Sequence, residues 1–232
     1  LTRRRFAFAS AVTHELRTPL TSFQLYTDML AKEVENGSEK AQRHVHTLTE
    51  QNRRLQRLVN HVMAYAKLER GQFQQEKTRF KVLDLATMVI CQLESRAEEK
   101  DMCLILKYGQ DLTGFEVEGT PGGIEQILIN LIENAIKYAD SAEDKRIHLN
   151  LSKSGRQIHF EVRDHGPGIP AVERRRCFRP FMKSVHRVSE TEGGLGLGLS
   201  ISRGLARQMG GKLSYVNPPD GGACFRLSLP TS

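Results

Sequence analysis

The chain opens on a helical stripe. Apolar residues Val12, Leu16, Leu20, Phe23, Leu30 and Val34 recur at spacings of three, four or seven, the mark of a helix with one buried face. The stripe stops at Glu35-Asn36-Gly37-Ser38, where Gly37 suits a left-handed helix end and Ser38 can cap the next helix. A second stripe follows through Val45, Leu48, Leu55, Leu58, Val59, Val62 and Ala66 and ends before Gly71. Two helices of about 30 residues each, joined by so short a turn, predict an antiparallel hairpin with an apolar seam on each arm. A lone hairpin cannot cover both seams. A two-fold dimer, in which two hairpins make a four-helix bundle, would cover them, as would packing against the rest of the same chain.

After the polar stretch Gln72–Lys77 the texture changes. Short β-type runs at 103–107, 147–151, 158–163, 212–216 and 223–229 alternate with helical patterns at 83–100, 123–138 and 197–209. Turn glycines separate them, which predicts a mixed sheet covered by helices. The expected fold class is therefore α+β, with a helical hairpin over residues 1–74 and a mixed-sheet domain over 75–232.

Composition narrows the function classes. The chain has 232 residues and a formal charge of +7, from 34 Lys+Arg against 27 Asp+Glu, so a nucleic-acid or anionic-membrane partner has to be considered. The excess is uneven: residues 1–70 carry 12 basic and 7 acidic side chains (net +5), and residues 71–232 carry 22 and 20 (net +2). The dense runs are Arg3-Arg4-Arg5 and Arg174-Arg175-Arg176, without Trp and with few aromatics between, so no stacking platform for bases is expected and no nucleic-acid partner. Cys91, Cys103, Cys177 and Cys224 form no C-x-x-C pair, which argues against a zinc site or a disulfide framework and for a reducing, cytoplasmic setting. A bilayer-spanning helix needs about 20 apolar residues, and no stretch approaches that. The chain begins inside a helical pattern without an N-cap, so any membrane anchor is expected upstream of it.

One cluster of candidate chemistry lies on the first helix, His14-Glu15-Leu16-Arg17-Thr18-Pro19-Leu20. At about 100° per residue, His14 sits about 200° from both Val12 and Leu16, so its imidazole projects away from the seam. Pro19 removes an N–H and clashes with the carbonyl of Glu15, bending the helix beside His14. Glu15 can accept a proton from one ring nitrogen and leave the other as a nucleophile. Thr18, one turn on, can position a water. On its own, His14 would equally suit an exposed histidine near a tolerated proline.

Further candidates fall in the mixed-sheet half. Asn130 and Asn134 lie four apart on one helix face, with Lys137 close by: two neutral oxygen ligands for a hard divalent ion and a charge for phosphates. Asp164-His165-Gly166-Pro167-Gly168 follows a strand, its glycines letting backbone approach a ligand and its carboxylate able to accept from an exocyclic amine. The polar stretch 182–193 reads as a lid, and Gly193-Gly194-Leu195-Gly196-Leu197-Gly198-Leu199 opens a helix whose first N–H groups suit an anion. Taken singly, these are also a solvated face, a turn and tight packing. The glycine run is neither a phosphate-binding loop ending in Lys-Ser/Thr nor a dinucleotide fingerprint.

In their order and spacing, these motifs resemble the transmitter module of a sensor histidine kinase, across almost the whole chain. His14–Leu20 is similar to the family's phosphoacceptor box, Asn130–Tyr138 to its asparagine box, and Asp164–Gly168 to its first glycine box. Phe178-Arg179-Pro180-Phe181 is similar to the phenylalanine box and Gly194–Leu199 to the second glycine box. The resemblance implies a dimeric helical domain followed by an α/β sandwich shared with gyrase-type and heat-shock ATPases. It also implies ATP-dependent phosphorylation of His14, with Glu15 as acid/base and Thr18 placing a water for the reverse, phosphatase-type reaction. Asn134 and Asn130 would hold Mg²⁺, Lys137 would meet phosphate, Tyr138 would lie near base or ribose, and Asp164 would recognise the adenine amine. Gly166 and Gly168 would make room for the base, and Gly194, Gly196 and Gly198 would meet the phosphates, while Phe178 and Phe181 would anchor the lid.

The implied partners are a second copy of the chain and a response-regulator receiver domain, whose acidic pocket would suit the basic hairpin. The implied setting is the cytoplasmic part of an inner-membrane sensor. His165 and Pro167 fill variable positions of the first glycine box, where asparagine is more usual at 165. Two rival readings use the same residues: a nucleotide-binding scaffold without turnover, and an ATPase or serine kinase of the related superfamily.

Overall fold

The computed structural model describes residues 21, 23, 25–30, 32, 34, 39–69, 77–182 and 196–231. The chain divides into two compact units, Leu1–Phe73 and Gln74–Ser232.

In the first unit, residues 21, 23, 25–30 and 32 are helical, and α1 runs from Glu39 to Glu69. Glu39 in the first turn and Lys67 in the last complement the helix dipole. Val45, Asn52, Val59 and Ala66, seven apart, are all buried. Leu48 and Leu55, three positions after Val45 and Asn52, are exposed, as are Phe23, Leu25, Tyr26, Met29 and Leu30. A strict seven-residue repeat gives one straight stripe along a helix that supercoils with a partner, and a single Asn within such a stripe sets register. No helix among the described residues is long and apolar enough to cross a membrane.

The second unit is built on a five-stranded mixed sheet in the order β2-β4-β5-β7-β6. Its strands are β2 (Cys103–Tyr108), β4 (Arg146–Ser154), β5 (Gln157–Arg163), β6 (Lys212–Val216) and β7 (Cys224–Pro230). Only β2 and β4 pair in parallel. The register puts Leu149 opposite Val162, Leu151 opposite Phe160, Phe160 opposite Leu227 and Leu213 opposite Leu227. One sheet face is therefore continuously apolar. The other carries His148, Asn150, Glu161, Arg163 and Arg226, with Glu161 and Arg226 ion-paired across β5 and β7.

Helices α2 (Val82–Glu98), α3 (Pro121–Tyr138) and α4 (Gly198–Gln208) supply the other layer. Helix α3 starts on Pro121, whose missing N–H costs nothing at a first turn, and buries Ile124, Ile127, Leu128, Leu131, Ile132, Ala135 and Ile136. Burying each large aliphatic side chain contributes about 1.5–3 kcal/mol. Helix α2 ends where Met102 N donates to Ala97 O at 2.8 Å around Asp101 at φ 56°, and α4 ends with the same closure, Gly211 N to Ala206 O at 2.8 Å around Gly210 at φ 71°.

All five predicted β runs and three helical patterns of this unit are present. The structure adds a two-stranded antiparallel sheet of β1 (Thr78–Lys81) and β3 (Glu116–Gly119), and a 3₁₀ turn at Gln110–Leu112. Four-residue strands such as Thr-Arg-Phe-Lys are too short and polar to show an alternation; their pairing comes from the chain folding back on itself.

Candidate functional site

The Asn130–Tyr138 stretch of α3 organises the site, about 12 Å of helix from end to end. At one end, Asn130 Nδ2 donates to Ser202 Oγ of α4 at 2.9 Å. That bond commits the amide nitrogen and leaves Oδ1 as acceptor. A Cβ on Gly198 would land on the Asn130 side-chain amide, so glycine lets the start of α4 close on Oδ1 without that side chain moving. The first bond inside α4 is Ile201 N to Leu197 O at 2.9 Å, so the N–H groups of residues 198–200 precede the ladder and face the anion-favouring end of the helix dipole.

At the other end, the turn after β5 meets the C-terminus of α3. Asp164 is buried, and its Oδ1 accepts from Gly166 N at 2.9 Å and Ala223 N at 3.1 Å. Asp164 N donates to Ala223 O at 2.9 Å, so the residue is held by the residue before β7 and by its own turn. Burial pushes the carboxyl up from its usual range, while the two backbone donors and the neighbouring His165 and Arg163 pull it back down. Both backbone bonds fall on Oδ1, so Oδ2 can accept from a ligand's amine.

The glycines of this turn are needed for space. A Cβ on Gly166 would sit 2.9 Å from Tyr138 O and 3.1 Å from Ala139 Cα, and one on Gly168, at φ 72°, would sit 2.6 Å from Gly222 O. Tyr138 is partly exposed at this end of α3, with Lys137 Nζ 5.4 Å from its ring centroid. Burial raises the Tyr138 phenol above its ordinary value, keeping it a hydrogen-bond donor. Asn134 lies between the two ends, half-buried on α3.

Asn130, Asn134, Lys137 and Tyr138 lie on α3; Gly198 meets it at one end and Gly166 at the other, with Asp164, Gly168 and Gly196 in the turns beside them. Gly196, at φ 68°, passes Met182 O, where a Cβ would lie 2.5 Å away. Phe178 is buried edge-on against Phe225, with ring centroids 6.0 Å apart, under the Arg203 guanidinium at 5.1 Å. Phe181 is exposed at φ 61°. His14, Glu15, Thr18, Gly194 and nearly all of the expected lid lie outside the described residues.

Four residues that sequence reasoning passed over contribute. Ser202 holds Asn130, and Gly222, at φ 78°, runs so close to Asp164 that a Cβ would strike its carbonyl oxygen. Asp144 and Arg146 form a forked ion pair beside the Asp164 turn. Of these, Gly222 had a visible signal, an Asp-Gly-Gly turn just before a β run.

The donor set suits a hard cation. Two amide oxygens on one helix face leave the remaining positions of such an ion to water and phosphate oxygens, in keeping with Mg²⁺. Among the described residues no group of three or more His, Cys, Asp or Glu is arranged to hold a metal.

Residues 4–71 match the family described as "His Kinase A (phospho-acceptor) domain", and residues 119–232 match "Histidine kinase-, DNA gyrase B-, and HSP90-like ATPase". The chain is 29% identical over 229 residues to the alginate biosynthesis sensor protein KinB of Pseudomonas aeruginosa, covering 98% of this chain and 37% of that protein. It is 31% identical over 223 residues to the signal transduction histidine-protein kinase BarA of Escherichia coli (strain K12), covering 94% of this chain and 24% of BarA. Among solved structures, full-length ShkA in complex with AMPPNP matches with a TM-score of 0.77 at 27% identity, over 97% of this chain and 46% of that one. The chain therefore spans 24–37% of the length of these two curated relatives.

Proposed function

The chain belongs to the sensor histidine kinases, as a transmitter module, and from that premise we propose that it transfers the γ-phosphoryl group of ATP to His14 and then to an aspartate of a response regulator. The observation that carries the reading is the convergence on α3 of the buried Asp164 at one end and the start of α4 at the other. That arrangement separates an acceptor for an amine from a cluster of anion-binding groups by about one nucleotide's length.

In this reading Asp164 Oδ2 accepts from the adenine amine, and Gly166 and Gly168 leave the base room. Tyr138 packs near base or ribose, and Lys137 with the first N–H groups of α4 meets the phosphates. Asn134 and Asn130 would hold Mg²⁺, which supplies charge neutralisation on the phosphate oxygens. One His14 ring nitrogen attacks the γ-phosphorus in line; a P–N bond forms, the P–O bond to ADP breaks, and Glu15 takes the ring proton. The phosphoramidate then gives its phosphoryl group to a carboxylate of the partner. Thr18 places the water for the reverse hydrolysis.

Residues 1–74 are assigned to the phosphoacceptor half and 75–232 to the ATP-binding half. The exposed Leu48 and Leu55 beside a buried seven-residue repeat favour a homodimer through the first half.

The test is incubation of wild type and His14→Ala with Mg²⁺ and γ-labelled ATP, followed by acid and base treatment. Acid-labile, base-stable label in wild type and none in the variant is the expected result. Acid-stable label, or label that survives His14→Ala, would point to a serine kinase instead; no label would point to an ATPase if labelled inorganic phosphate is released, and to a scaffold if ATP is bound and left intact.

A further inference from the structure

The residue after Asp164 has surroundings that the nucleotide reading does not use. His165 Nε2 lies 3.6 Å from Asp144 Oδ2, too long for a hydrogen bond but within ion-pair reach, and it is buried with no hydrogen-bond partner. Asp144 is a fixed anion: it accepts from Arg146 N at 3.0 Å, Nε at 2.8 Å and Nη2 at 2.6 Å, bonds that hold its carboxyl far below the usual range. On the other side, the His148 ring stands edge-on to that of His165, centroids 5.6 Å apart. Burial, with Lys107, His165 and Arg146 nearby, pushes His148 down toward its neutral form. The groups facing His165 are therefore Asp144 from the α3–β4 connection, Arg146 and His148 from β4, Lys107 beyond His148 on β2, and Arg163 and Asp164 from its own strand and turn.

Gly166 rests on Ala139, at the start of the connection that Asp144 ends. The Asp164–Gly168 turn thus touches that connection twice, once through the steric fit of Gly166 and once through the His165 imidazole beside Asp144. A neutral His165 leaves a buried nitrogen facing a carboxylate without a hydrogen bond, whereas the imidazolium offers the carboxylate a charge.

We infer that His165 is a positioning residue for the nucleotide: through Asp144 it ties the Asp164 turn to β4 more firmly when protonated, so that nucleotide affinity rises as pH falls through the neutral range. The gain comes from ordering the turn before binding. The inference rests on the nucleotide reading of the Asp164 site.

The test is calorimetric titration of the chain with ADP between pH 6 and pH 8, comparing wild type with His165→Asn, which cannot titrate; the protonation of ADP itself cancels in the ratio. The wild-type Kd should rise about two- to fivefold more over this range than that of the variant, the scale of a partly exposed ion pair. Asp144→Asn, which keeps the imidazole and removes its anion, should flatten the profile in the same way, and it decides the matter should His165→Asn fail to fold. Parallel profiles in wild type and variants would overturn the inference and leave the nucleotide reading standing. Absence of ADP binding in every protein at every pH would overturn both.

Discussion

Replacing Gly222 by alanine tests how the Asp164 end of the site is built. Gly222 has φ 78°, and a Cβ there would strike the Asp164 carbonyl oxygen while lying 2.9 Å from Asp164 C and 3.0 Å from His165 Cα. These are backbone atoms, so no side chain can swing aside. The adjacent Gly221 is a built-in control: its φ is 80°, yet nothing lies within 4 Å of the position its Cβ would take. Gly221→Ala should therefore cost only the left-handed strain, about 1–2 kcal/mol. Gly222→Ala carries the same strain plus the clash, about 1–3 kcal/mol more for overpacking against a fixed wall.

The clash is relieved by moving Asp164, whose N and Oδ1 are tied to Ala223, the next residue along. ADP affinity should fall by about tenfold or more in Gly222→Ala, since losing a well-placed charged hydrogen bond costs about 1.5–3 kcal/mol. In Gly221→Ala it should stay within about twofold. Urea unfolding followed by a β-sheet signal gives the stabilities, and calorimetry gives the ADP affinities. Equal losses of stability and affinity in the two variants would refute the claim that Gly222 is required for close approach to Asp164.

Two further outcomes follow from other parts of the chain. Leu48→Lys together with Leu55→Lys removes two exposed apolar side chains worth about 1.5–3 kcal/mol each when covered; sedimentation equilibrium should show the proposed dimer weakened by at least about a hundredfold, and an unchanged dimer would exclude this face as the interface. Burial pushes the Cys177 and Cys224 thiols up to about 11, whereas Cys91 and Cys103 are exposed. At pH 8 these two thiols are then about one part in a thousand thiolate, so Ellman's reagent should label Cys91 and Cys103 quickly, and half-buried Cys177 and buried Cys224 far more slowly. The sign for stability follows from the same shift. Above the ordinary thiol value of 9.0 the unfolded chain ionises first, so stability should fall as pH rises from there toward 11.

Much of the second unit was legible because its strands alternate cleanly. Ile158, Phe160 and Val162 with Leu227 and Leu229 show a period of two, and α3 shows a helical period around Ile124, Leu128, Leu131 and Ala135. The pair β1 and β3 was not legible, since four residues carry too little period to register. The site residues at Asn130, Asn134, Lys137 and Asp164 could be nominated from residue type and spacing, because amide oxygens, a cation and a post-strand carboxylate are local chemistry. Their partners could not. Ser202 lies 72 positions from Asn130, and Ala223 lies 59 from Asp164.

The amino-acid sequence by itself determined the two kinds of architecture, the apolar face of each element, the order of the motifs and the residue types available to hold a nucleotide, since all of these depend on neighbours a few positions apart. Only the tertiary structure decided which oxygen of Asp164 is already engaged, which glycines are required by contact, and that His165 faces a carboxylate anchored by Arg146. Those properties arise where segments distant along the chain come within a few ångströms, and pairing distances of that kind are set by sheet register and helix packing, which no local pattern encodes.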